Sequence, residues 1–84
     1  MSILSILAMT FGVASGFANI FQWIKIFQRK SAKDISIITY LLLFMGAVIW
    51  VFYGFEIHDL PVILTNAVGG VNIGIVIVGW MLYK

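Results

Sequence analysis

Three long stretches of the chain carry no charged residue: Ile3 to Ile24, Ile35 to Phe55 and Val62 to Tyr83. Each is roughly 21 to 22 residues long, and about 20 apolar residues in a helix cross a hydrocarbon core of about 30 Å. The five Lys and Arg and the three Asp and Glu residues all lie between these runs or at their ends. The pattern predicts an all-α membrane protein of a single three-helix unit over residues 1–84, with transmembrane helices over about 3–27, 35–55 and 62–83. Asp34 or Ser36 is placed to cap the second helix, and Pro61 falls in the first turn of the third, where a helix tolerates proline. The first run lacks the basic segment of a signal peptide and is longer than a typical signal core, so it reads as a retained helix.

Composition narrows the function classes. Of 84 residues, 63% are hydrophobic and 10% charged, more apolar surface than a soluble domain of this size can bury. A net charge of +2, dispersed along the chain, does not suggest nucleic acid. There is no cysteine, and His58 is the lone histidine, in the second loop. No metal cluster, cofactor site or nucleophile–base pair can be assembled in one subunit, so an enzyme is not expected. None of the runs holds an ionisable residue well inside it, which argues against proton relays and ion-coupled carriers.

Charge also orients the chain. Lys25, Arg29, Lys30 and Lys33 cluster around the first loop, whereas the second loop, Glu56 to Pro61, has no Lys or Arg. The positive-inside rule puts the first loop in the cytoplasm of a plasma (inner) membrane protein. The amino terminus is then outside, and the carboxyl terminus, with Lys84, is inside.

Helical spacing sorts the polar and small residues into faces. On the second helix Thr39, Leu43, Gly46, Trp50 and Tyr53 share one stripe. On the first, Gly12, Ser15, Gly16, Asn19 and Gln22 do so, and small residues at such spacing let helices approach closely in lipid. The glycines and Asn19 read as packing, and Gln22 as packing or part of an inner gate. On the third helix Asn66 aligns with Gly69, Gly70 and Ile73, while Asn72 lies about 240° around. One asparagine then suits a cavity and the other a bond to a neighbouring helix. Gly69, Gly70, Gly74 and Gly79 suit the third helix to the close-packed middle of the bundle.

Trp50 and Asn66 each sit about five residues from the second loop, roughly 7 Å below it at about 1.5 Å per residue. An indole face beside a carboxamide at one depth is a pairing suited to a sugar. Trp50 is deeper than an interfacial belt residue; Tyr53, one turn outward, suits either the belt or a gate. Three helices do not surround a solute path, so transport requires two copies. Equal loop charges make that pair parallel, with its twofold axis along the membrane normal.

At these residues the chain resembles the bacterial SemiSWEETs, half-size relatives of the SWEET sugar transporters in the PQ-loop superfamily. The resemblance covers nearly the whole chain: its three-helix length, Lys33-Asp34-Ile35-Ser36, the Trp50 to Gly54 segment, and Leu60-Pro61 leading to Asn66. It implies a parallel homodimer, with the third helix packed between the first two, that moves mono- or disaccharides passively by alternating access. It implies sugar binding by Trp50 and Asn66 and outer-gate closure by Tyr53 and Asp59. The Arg usual in that turn falls on Ile57, with His58 the candidate to replace it. Thr39 and Leu43 join Phe21 and Gln22 as the expected inner gate and hinge. Phe21-Gln22 is where the family has Pro-Gln; without the proline, either Gly12 and Gly16 supply the bend or switching is slower or biased. The alternatives are a PQ-loop carrier of another small metabolite and a non-transporting membrane subunit. Restoring proline at Phe21 is expected to change transport rate more than sugar affinity; equal rates for Phe21→Pro and the parent in vesicle uptake count against a hinge role there.

Overall fold

The computed structural model describes residues 2–84. Four helices follow one another: α1 (Ile3–Phe17), α2 (Ile20–Arg29), α3 (Ile37–Glu56) and α4 (Leu60–Tyr83). Together α1 and α2 form one span, Ile3–Arg29, so the described residues hold three helical segments long and apolar enough to cross a membrane. The first span is thus an interrupted helix, with Ala18 and Asn19 outside the helical ladder.

The starts of α1, α3 and α4 are each capped by the side chain before them. Ser2 Oγ accepts from the Ser5 N–H at 3.0 Å. Ser36 Oγ accepts from the Thr39 N–H at 3.4 Å, and Asp59 Oδ1 from the Val62 N–H at 3.2 Å. These bonds satisfy donors that the first turn of a helix leaves free. Pro61 follows Asp59 in the first turn of α4. The end of α3 closes with paired bonds from the His58 N–H to Phe55 O at 3.3 Å and the Asp59 N–H to Gly54 O at 2.9 Å. His58 takes the left-handed conformation, φ 54°, that this closure requires.

The centre of the bundle is α4, against which α1, α2 and α3 all pack. Its seam with α1 depends on two glycines. A Cβ on Gly16 would lie 3.0 Å from the Gly69 backbone nitrogen, and one on Gly12 would overlap the Thr65 hydroxyl. Only glycine lets the two backbones come so near. Across α4, Ala47 and Phe44 of α3 lie against Gly70 and Gly74.

A compact aromatic cluster forms where the α2–α3 loop meets the end of α4. Ile26, Ala32 and Val76 are buried there, enclosed by Trp23, Tyr40, Trp80 and Tyr83. The Phe27 ring stands perpendicular to Tyr83, with centroids 5.6 Å apart. The Ala32 N–H donates to Tyr83 O at 3.1 Å and so satisfies a carbonyl that the helix end leaves without a partner.

One polar tie crosses the middle of the bundle. Trp23 Nε1 donates to Asn72 Oδ1 at 3.1 Å, and Asn72 Nδ2 donates to Val68 O at 3.0 Å. Asn72 is 5% exposed, so the indole N–H satisfies a carboxamide oxygen that lipid would leave bare. Trp23→Phe keeps an aromatic ring and removes that donor. It is expected to destabilise the protein by about 1–2 kcal/mol in detergent unfolding. Asn72→Leu added to it should recover part of that loss, because no buried acceptor is then unpaired. Equal stability of Trp23→Phe and the parent would remove the tie from the account of the fold.

Candidate functional site

Because α1 and α3 sit on either side of α4 without packing on each other, a cleft of about 390 Å³ lies between them over the α4 surface. That volume is within the range of small-molecule sites, about 300–1,000 Å³. Its walls include Gly12 and Ser15 from α1, Leu43 and Trp50 from α3, and Thr65 and Asn66 from α4. Trp50, Thr65 and Asn66 also border an adjoining hollow of about 350 Å³ beside Pro61 and Ala8. A separate groove of about 390 Å³ runs along the other side of the α3–α4 seam past Phe44, Val51 and Phe52. Asn66 at its edge is the one polar side chain there, so this groove suits acyl chains rather than a polar solute.

Within the cleft, Trp50 stands half exposed, at 52%. Tyr53 is held nearly perpendicular to it, with centroids 5.5 Å apart and planes at 83°, an arrangement that fixes the indole without stacking on its face. Asn66 Nδ2 donates to Val62 O at 2.8 Å. One amide N–H is therefore committed to the α4 backbone, and the second N–H and the carbonyl oxygen remain for a solute.

Among the residues singled out from the sequence, Leu43, Trp50 and Asn66 meet in this cleft, and Tyr53 adjoins it through Trp50. Asp59 and Thr39 lie elsewhere: Asp59 caps α4, and Thr39 pairs its hydroxyl with that of Ser36 at 2.9 Å at the start of α3. On the first span Phe21 is exposed and Gln22 half-buried, both on α2 and outside the cleft. Trp23 and Thr65 were not singled out. Trp23 had a signal, since a buried Asn72 in lipid needs a donor nearby; Thr65 had only its place beside Asn66. The two asparagines of α4 divide as helical rotation predicts, Asn72 bonded to the neighbouring span and Asn66 on the cleft. Among the described residues no three His, Cys, Asp or Glu side chains come together to hold a metal.

Comparison with known proteins gives this geometry a family. The family described as "Sugar efflux transporter for intercellular exchange" matches residues 2–84. The chain belongs to that family. It is 40% identical over 47 residues to the sugar transporter SemiSWEET of Bradyrhizobium diazoefficiens, and to the same degree over the same length to that of Leptospira biflexa. Each match covers 56% of this chain and 55% of the relative, so the matched part spans about half the length of those relatives. The bidirectional sugar transporter SWEET8 of Arabidopsis thaliana is 35% identical over 64 residues, 76% of this chain and 26% of SWEET8. The crystal structure of a bacterial homologue of SWEET transporters superposes with a TM-score of 0.91 at 30% identity, over 99% of this chain and 100% of the other. The SemiSWEET resemblance read from the sequence is thereby shown.

The bend of the first span differs from expectation for a member of this family lacking the PQ proline. Gly12 and Gly16 lie inside the unbroken α1, and the break comes after them, at Ala18–Asn19. There the Ala18 N–H turns to Ser15 O at 3.1 Å, a tighter three-residue step, and Asn19 O accepts from both Gln22 and Trp23 at 3.1 and 3.2 Å. Asparagine suits a helix start, although the Asn19 side chain makes no capping bond. The interruption therefore exists with Phe21 in place, and Phe21 is the second residue of α2, where a backbone N–H has no partner within its own helix. Phe21→Pro is expected to leave stability within about 1 kcal/mol of the parent. Val13→Pro, inside α1, should cost about 3 kcal/mol or more. Thermal unfolding in detergent compares them, and equal large losses would mean that the first span behaves as one continuous helix.

Proposed function

We propose that this chain moves sugars passively across the membrane as a parallel homodimer, by alternating access, with Trp50 and Asn66 holding the solute. The observation that carries the reading is the shared cleft, in which an indole face and a half-free carboxamide border one cavity of about 390 Å³. The CH face of a pyranose stacks on Trp50, with Tyr53 steadying the ring from the side. The free N–H and oxygen of Asn66 meet adjacent hydroxyls, one as donor and one as acceptor. The absence of ionisable side chains in the cleft lining suits a neutral solute and leaves no group to couple its movement to protons.

The cleft is unroofed in one copy, and a second copy facing it would close the path and double each contact. In the proposed orientation, set by Lys25, Arg29, Lys30 and Lys33 at one end, the α3–α4 turn faces outward. Tyr53 and Asp59 then lie at the outer closure, and Thr39, Leu43, Phe21 and Gln22 toward the inner one. Rocking of the two copies exposes the site to each side in turn, and modest affinity keeps release fast.

In proteoliposomes the parent should take up labelled glucose or sucrose down its gradient. Trp50→Ala and Asn66→Ala should each lower uptake by about tenfold or more, the loss that about 1.4 kcal/mol of binding produces. Both variants should still run as dimers on cross-linking in lipid. Normal flux in either variant would remove the pocket assignment, and a monomeric parent in native lipid would remove the shared path.

A further inference from the structure

We infer that the Thr65 hydroxyl is a third sugar contact, on the α1 side of the cleft, and that Gly12 is what keeps it open. The inference rests on the sugar-carrier reading of the same cleft.

The first observation is a missing bond. A threonine inside a helix commonly returns its hydroxyl to the carbonyl four residues back, as Thr10 does to Ile6 O at 2.8 Å. Asn66 and Asn72 do the same with their amides. Among the described residues, no hydrogen bond reaches Thr65 Oγ1. No side-chain nitrogen or oxygen that is fully buried among them is without a partner. The Thr65 oxygen is therefore still open, and it borders the cleft with Trp50 and Asn66. A hydroxyl left bare at membrane depth is costly unless something polar meets it, and a solute hydroxyl is such a group.

The second observation is placement. Thr65 and Asn66 are consecutive on α4, about 100° apart around the helix. Asn66 also borders the groove on the α3 side, whereas Thr65 faces Gly12 of α1. The two polar groups thus stand at opposite edges of a cleft whose α3 wall carries the indole. A ring lying on Trp50 has hydroxyls around its rim, so Asn66 reads one edge and Thr65 the other. Any side chain at residue 12 would overlap the Thr65 hydroxyl, because even a Cβ there does so. Gly12 therefore serves reading of the solute as well as close helix packing.

The test compares uptake of glucose and its monodeoxy analogues by the parent, Thr65→Val and Thr65→Ser. For the parent, removing the sugar hydroxyl that Thr65 meets should raise KM by about 3- to 10-fold, the size of one net hydrogen bond. Thr65→Val, nearly the same shape, should raise KM for glucose by a similar factor, with maximal rate within about twofold, and should no longer distinguish that one analogue from glucose. Thr65→Ser should keep the distinction. Calorimetric titration of glucose and the analogues into solubilised protein reads the same ratios should Thr65→Val bind but not transport. A Thr65→Val that ranks the analogues as the parent does overturns the inference and leaves the sugar reading standing. A parent that moves no sugar removes both.

Discussion

Lipid tails are as apolar as leucine, so helices in a bilayer gain little by hiding leucine from them. What holds this bundle together is therefore close approach and the pairing of polar groups, and α4 is where both are concentrated. Gly16 of α1 lets that helix reach the α4 backbone at Gly69; Gly70 and Gly74 receive Ala47 and Phe44 of α3, and Gly79 lies against Ile26 of α2. Large apolar side chains such as Phe11, Phe52 and Leu82 point outward instead, where the hydrocarbon accepts them at no cost. The α1–α4 and α3–α4 seams carry small residues at these points of closest approach because contact distance, not buried area, is the stabilising quantity there.

The same constraint ranks the polar groups of α4. Asn72 has both of its polar atoms bonded, its oxygen to Trp23 and its amide nitrogen to Val68 O. Asn66 is half committed, through Val62 O, and Thr65 is not committed at all. From the middle of α4 toward its start, hydrogen-bonding capacity passes from structural use to availability. The available end coincides with the cleft beside Trp50. A site for a hydroxyl-rich solute needs this gradient, since a fully satisfied helix surface has nothing to offer a sugar and an unsatisfied one costs too much without it.

Much of this was legible in the sequence, because helical periodicity and the cost of charge in lipid are local rules. They give three spans, the depth shared by Trp50 and Asn66, and the different faces of Asn66 and Asn72. The break at Ala18–Asn19 was not legible. Neither proline nor glycine stands at it, alanine is a good helix former, and the helix-start preference of a single asparagine, Asn19, is too weak to announce a break inside an apolar run. Its position is set by α4: Gly16 anchors one side of the break and Trp23 the other, and those partners are some fifty residues away along the chain. Thr65 was illegible for a related reason. A threonine at membrane depth normally satisfies itself within its own helix, and only the three-dimensional arrangement reveals one that does not.

The two halves of the first span are also held by different forces, and this bears on where the protein yields. The Trp23–Asn72 hydrogen bond, the perpendicular Phe27–Tyr83 pair and the loop bond from Ala32 all fasten α2 and its following loop to α4. Against α4, α1 has backbone proximity at Gly16 and the Gly12–Thr65 contact, with no side-chain hydrogen bond between them among the described residues. Dispersion contacts fade gradually as surfaces slide, whereas a buried hydrogen bond is lost outright once its geometry is broken. Tilting α1 about Ala18–Asn19 therefore requires no polar group to be abandoned, while moving α2 would strand the Asn72 oxygen. The cleft wall that carries Gly12 and Ser15 is the compliant one, and the wall that carries Asn66 stays with the rigid body. In the proposed site a solute held by Trp50, Asn66 and Thr65 rests on α3 and α4, so its hold survives movement of the α1 wall.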